Sequence, residues 1–150
     1  MVVMAVDYGD AHTGVAFSDP TGSLTGAVTT IDSRREDVVL GELARLAREL
    51  SAEAMVIGLP KNMDGTEGPR AALCRAFAAK AEAAVGLPAV LWDERRTTVD
   101  AHRILFDAGK NAKKRKKTVD AVAASLILEG YLARLRLHPS TERSVDHENQ

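Results

Sequence analysis

The hydrophobic period of this chain changes once, near residue 33, and that change limits its fold more than any other feature. Before it, apolar residues sit in short runs broken by turn formers. Val2–Asp7 is a strand-like run ending at a carboxylate, and Tyr8–Gly14 is a turn with glycine near both ends. Val15–Ser18 predicts a second strand, Pro20-Thr21-Gly22-Ser23 a turn, and the Thr- and Val-rich Leu24–Ile31 a third strand. Three strands joined by short turns make an antiparallel meander.

After residue 33 the period becomes helical and alternates with single strands. Ser33-Arg34-Arg35-Glu36 has the spacing of a capping box. Val39, Leu43, Leu46 and Leu50 recur at i, i+4, i+7 and i+11, one apolar helix face. Ala54–Leu59 predicts a buried strand, Pro60–Pro69 a loop, and Arg70–Val85 a helix stopped by Gly86 and Pro88. Ala89–Trp92 predicts the fifth strand and Thr97–Gly109 a further helix. Lys110–Lys117 reads as a basic loop, and Thr118–Leu135 as the last helix, with Val119, Val122, Ala123, Leu126 and Ile127 as its apolar arc. His138–Gln150 lacks periodicity and is expected to be a flexible tail to a domain of residues 1–137. A meander followed by strand–helix alternation requires an α/β protein with a five-stranded mixed sheet, three antiparallel strands and then parallel ones, flanked by helices. That is the strand order of the ribonuclease-H-like fold.

Composition excludes several classes. Of 150 residues, 45% are apolar and 27% charged, which is ordinary for a globular domain and wrong for a disordered one. No apolar run approaches the eighteen or so residues of a membrane span, and Met1–Asp7 lacks the basic start of a signal peptide. The single cysteine, Cys74, allows no intrachain disulfide, so a cytoplasmic location is expected. Cys74 itself, on an alanine-rich helix, is expected to be buried and inert. A net charge of −1 gives no general attraction to nucleic acid, so any such affinity has to be local.

Three carboxylates mark one edge of the predicted sheet. Asp7 closes the first strand, Glu94 follows the fifth, and Asp120 lies in the first turn of the last helix. The first and fifth strands run parallel in this fold, so their C-terminal ends share a rim, where open sheets bind ligands. Sheet parity cannot separate Glu94 from Asp93 when both faces are covered; Glu94 is assigned to the site and Asp93 to pairing with Arg95 or Arg96. Converging carboxylates repel, and hard divalent cations relieve that repulsion through oxygen ligands. Two Mg²⁺ or Mn²⁺ ions held by Asp7, Glu94 and Asp120, with Asp7 bridging, suit phosphodiester hydrolysis. The four histidines have no zinc spacing.

Candidate nucleic-acid contacts cluster near these acids. Lys110–Lys117 holds six cations in eight residues, including Lys113, Lys114, Arg115, Lys116 and Lys117, with Arg95 and Arg96 close in sequence. Such a cluster neutralises phosphates without reading bases. Asn62 and Thr66, ahead of a helix start, suit a phosphate or a ribose hydroxyl. With six aromatics, base stacking is poorly supplied, and Trp92 is expected in the core.

Asp7-Tyr8-Gly9 with Gly14-Val15-Ala16, Val56–Pro60 with Asn62–Glu67, Asp93-Glu94-Arg95 with Thr97-Thr98, and Val119-Asp120-Ala121 with Ala123-Ala124 occur in that order. Together, over residues 3–135, they resemble the YqgF family, also called RuvX or Holliday junction resolvase-like. The resemblance implies a ribonuclease-H-like fold and a metal-dependent nuclease acting on structured nucleic acid, most simply at the 5′ end of pre-16S ribosomal RNA. It also places the family's acidic triad on Asp7, Glu94 and Asp120. A resolvase cutting branched DNA as a homodimer is the alternative, and a monomer suffices for RNA processing. A binding module without catalysis is a third reading. A sugar-kinase-like ATPase needs two such lobes, and this length supplies one. Asp10, Ala11 and His12 depart from the family's usual Thr and basic residues after Gly9, which implies either weaker attraction of phosphate at that turn or an added metal ligand.

Overall fold

In the computed structural model, residues 1–94 and 112–137 are described, with backbone alone for 112–120. The expected tail at 138–150, the helix at 97–109, Arg95 and Arg96 lie outside them. The elements are β1 (Val3–Asp7), β2 (His12–Ser18), β3 (Thr25–Asp32), α1 (Glu36–Glu49), β4 (Ala54–Leu59), α2 (Pro69–Val85), β5 (Ala89–Asp93) and the last helix, α3 (Ala112–Leu137). The sheet runs β3-β2-β1-β4-β5, with β1 at its centre. β2 is antiparallel to β1 and β3, whereas β4 is parallel to β1 and β5. This is the ribonuclease-H-like arrangement, and it brings the C-terminal ends of β1, β4 and β5 to one rim.

Pleating sorts the strand residues into two layers. Met4, Val6, Met55, Ile57 and Ala89 pack under α1 and α2 against Val39, Leu43 and Phe77. Val3, Ala5, Val56 and Trp92 pack under α3 against Ala124, Ile127, Leu128, Tyr131 and Leu132. Trp92 is a core residue, as expected, with its ring edge-on to Tyr131 at 6.4 Å.

Local details correct the sequence reading in three places. The capping box does not form. Ser33 Oγ accepts from the Arg35 amide, so α1 starts only at Glu36, and the Glu36 carboxylate accepts from Lys80 Nζ at 2.6 Å instead of reaching back. The basic run from Lys113 to Lys117 is helix, not loop, because α3 begins at Ala112. Ala, Lys and Arg are strong helix formers, and no Gly or Pro separates them from the alanine-rich segment that follows. The buried stripe of α3 runs through Ala124, Ile127, Leu128, Tyr131 and Leu132, so Ile127 holds its expected place while Val122, Ala123 and Leu126 are only partly covered. Apolar residues surround this part of the helix, and sequence spacing alone did not select which third faces the sheet.

Candidate active site

The pleat sends the two neighbouring acids to opposite faces of the sheet. Asp7 continues the Val3–Ala5 face of β1, on the side of α3. Glu94 continues the Val90–Trp92 face of β5, on the same side. Asp93 has the opposite parity, that of Ala89 and Leu91, which pack toward α2. It lies with Lys61, Arg75 and Arg134 around a cavity of about 300 Å³.

Asp7 and Glu94 meet across β4, where Gly58 makes room for them. A β-carbon built on Gly58 would stand 2.6 Å from Glu94 Oε1 and 2.8 Å from Ile127 Cδ1, so any side chain there collides with the carboxylate and with α3. The two carboxyl groups are hydrogen-bonded to each other. Burial, that bond and the Glu94 charge raise the Asp7 carboxyl well above its ordinary value, against the lowering influence of Arg70. A divalent ion with oxygen ligands fits this donor set. Among the described residues no group of three acidic, histidine or cysteine side chains gathers as a metal site. Position 120 falls one helical turn before Ala124, in register with Ile127 seven residues on.

The β1–β2 turn is anchored to α2. The Tyr8 ring stacks on Phe77 with centroids 3.8 Å apart and planes 9° apart. Arg70, in the first turn of α2, lies over the Tyr8 ring at 5.4 Å, donates from Nη2 to the Tyr8 carbonyl, and pairs from Nη1 with Asp10 Oδ1 at 3.1 Å. His12 does not enter the site: its Nδ1 lies 2.7 Å from Asp32 Oδ1. Arg70 was not singled out from the sequence, and Tyr8 and Gly58 entered it only as members of the resembling motifs, without a role of their own. A cation in the first turn of a helix runs against the macrodipole, and a glycine inside a buried strand marks a close approach. Those were the available signals.

Asn62 and Thr66 come together, but with each other. Asn62 Nδ2 donates to Thr66 Oγ1 at 2.9 Å, and that hydroxyl donates to Asp64 Oδ1 at 2.6 Å. The Asn62 amide also bonds the Thr66 carbonyl, which closes the loop on itself with Gly65 at φ 90°. Cys74 is buried behind the site, and burial pushes its thiol up to about 11.

A ribonuclease-H-like sheet with paired carboxylates on the C-terminal rim of its parallel strands is the framework of a nuclease. The chain belongs to the RuvX family: the family model described as Holliday junction resolvase matches residues 1–134. Its relatives include the protein named "Putative pre-16S rRNA nuclease" of Moorella thermoacetica, 45% identical over 135 residues, which cover 90% of this chain and 96% of that one. The protein of the same name from Listeria monocytogenes is 45% identical over 134 residues, covering 88% and 97%. Solved structures with this fold include Thermus thermophilus RuvC in complex with a Holliday junction substrate, at TM-score 0.56 and 13% identity over 90% of this chain and 96% of that one. The fowlpox virus resolvase bound to Holliday junction DNA aligns at TM-score 0.55 and 15% identity, covering 90% and 99%. No helix among the described residues is long and apolar enough to cross a membrane.

Proposed function

We propose that this chain is a metal-dependent nuclease that trims the 5′ end of pre-16S ribosomal RNA. The observation that carries the reading is the half-buried Asp7–Glu94 pair over Gly58, two acids from separate elements held close together at an electrostatic cost. Such a pair is retained where its charge is used. Asp7, Glu94 and Asp120 are the residues that would hold Mg²⁺ or Mn²⁺. Two such cations supply an activated water and stabilise the leaving oxygen of a phosphodiester.

The chain's own part is placement. β1 and β5 fix Asp7 and Glu94 on the α3 face of one rim, and α3 carries Asp120 at the position one turn before Ala124. Lys113, Lys114, Arg115, Lys116 and Lys117 precede Asp120 on the same helix and, with Arg95 and Arg96, neutralise phosphates along the RNA. Asn62 and Thr66 offer the loop's outer surface to a ribose or phosphate, after exchanging their mutual bond. Residues 1–137 form the working domain, residues 138–150 are dispensable, and the protein works in the cytoplasm.

The test is cleavage of a pre-16S RNA fragment and of a four-way DNA junction, side by side, in Mg²⁺, in Mn²⁺ and in chelator. RNA cleavage that disappears in chelator and returns with either ion is the expected result. Cleavage of the junction alone moves the assignment to a dimeric resolvase. Full activity in excess chelator overturns the metal-dependent reading.

A further inference from the structure

Arg70 is the described cation that most directly addresses the carboxylate pair, and its guanidinium is already half engaged. Nη2 is committed to the Tyr8 carbonyl, and the group lies over a tyrosine ring that is itself fixed on Phe77. That anchorage fixes the position of the planar fork. The remaining edge, through Nη1, faces Asp10, whose side chain is 81% exposed while Arg70 is 37% exposed. The Tyr8 carbonyl that holds Arg70 belongs to the residue directly after Asp7, so the guanidinium sits beside the carboxylate site. A scissile phosphate brought to Asp7 therefore arrives within the field of this guanidinium.

We propose that Arg70 binds a substrate phosphodiester beside the carboxylate site, and that Asp10 occupies it in the free protein as an internal stand-in for that phosphate. The proposal rests on the nuclease reading and adds a substrate contact and a competitor to it. A planar guanidinium suits phosphate oxygens as well as it suits a carboxylate, so one ligand replaces the other on the same donor edge. An exposed carboxylate held through one nitrogen is weakly bound, and displacing it takes little. Tyr8 stays in place through the exchange, because its carbonyl and ring contacts use the other nitrogen and the face of the guanidinium. The turn that follows Asp7 thus keeps its shape whether or not nucleic acid is present. Asp10 sets a threshold: a ligand with too few phosphates to compete leaves the Arg70–Asp10 pair closed.

The experiment is fluorescence anisotropy of a fluorescein-labelled RNA hairpin in Ca²⁺, with Asp10→Asn, Arg70→Gln and the double variant. Asp10→Asn should tighten binding about two- to fivefold, the range of an exposed ion pair removed from competition. Arg70→Gln should weaken binding and lower the log–log salt slope by about 0.7–0.9, one phosphate contact. In the Arg70→Gln background, Asp10→Asn should gain nothing. An equal gain in both backgrounds would mean that Asp10 acts by general charge, which overturns the competition. Asp10→Asn sits at an exposed position and keeps the fold, so unchanged affinity in that variant overturns the proposal by itself, whether or not Arg70→Gln folds. If the wild-type protein fails to bind the hairpin at all, the nuclease reading falls and this proposal with it. Wild-type binding without an Asp10 effect rejects this proposal alone.

Discussion

Gly58→Ala tests whether the carboxylates are held by packing. The backbone at Gly58 suits any residue, so the whole effect comes from the added methyl group. Ordinary contact of a β-carbon begins at 3.4 Å, and Glu94 Oε1 stands at 2.6 Å from where it would be, so the carboxylate has to retreat by about 0.8 Å. Ile127 Cδ1, at 2.8 Å, has to yield as well, and it is part of the buried stripe of α3. Overpacking of this kind costs about 1–3 kcal/mol. The reduced freedom of the unfolded alanine chain offsets about 0.4–1 kcal/mol of that. A net loss of about 1–2 kcal/mol lowers the melting temperature by about 2–8 °C in a chain of this size. Turnover should suffer more, because a misplacement near 1 Å at reacting groups costs up to about 100-fold. The assay is metal-dependent cleavage of the RNA fragment, with melting followed on the same samples. Gly41→Ala is the control: nothing lies within 4 Å of its β-carbon, and an exposed helix glycine replaced by alanine gains about 0.5–1 kcal/mol. A folded Gly58→Ala protein with wild-type turnover would refute the argument that Glu94 depends on that space.

Asp7→Asn should abolish cleavage yet stabilise the cation-free fold. The raised Asp7 carboxyl stabilises the protein fully below the ordinary carboxylate range, and that contribution is lost as pH rises through the raised value. In chelator the variant should therefore melt above wild type at neutral pH, with the gap closing in acid; melting curves across pH that run parallel would contradict this. Replacing Lys113, Lys114, Lys116 and Lys117 by Ala should weaken hairpin binding and lower the salt slope by about two units if two or three lysines touch phosphate. An unchanged slope would place the RNA path elsewhere. Cys74, buried and with its thiol near 11, should react with a thiol reagent at neutral pH only on unfolding; rapid labelling of native protein would count against that burial.

The strand order was legible, and with it the places of Asp7 and Glu94 at strand ends, because each depends on short-range pattern. Val2–Asp7 and Ala89–Trp92 are runs that only a strand accommodates, and the acids fall at their ends. Two misreadings share another cause, namely competition between local options of similar energy. Ser33 had two amides within reach and bonded the nearer, at Arg35. Lys110–Lys117 looked like a loop by charge, while helix propensity connected Lys113–Lys117 to α3. The Arg70 contacts could not be read at all, since Tyr8 and Asp10 are sixty or so residues away and their meeting is a product of tertiary packing. The pleat puts Asp93 and Glu94 on opposite faces, and it became usable only once α3 was known to cover the Val90–Trp92 face.

Of the sheet's five strands, β1 is made first, and it is the one at the centre. β2 follows within a few residues and covers one edge, but the other waits for β4, whose Ala54 lies opposite Val3. Until then Val3, Met4, Ala5 and Val6, which end with no exposed surface, line an open hydrogen-bonding edge on the growing chain. Pairing across such a separation is slow compared with closing the meander. Glu94 and Asp120 emerge later still, and α3 last. The nascent protein is therefore an aggregation hazard before it is an enzyme. The face of the sheet that carries Asp7 stays open for as long, because α3, which covers Val3, Ala5, Val56 and Trp92, is made after all five strands of the sheet.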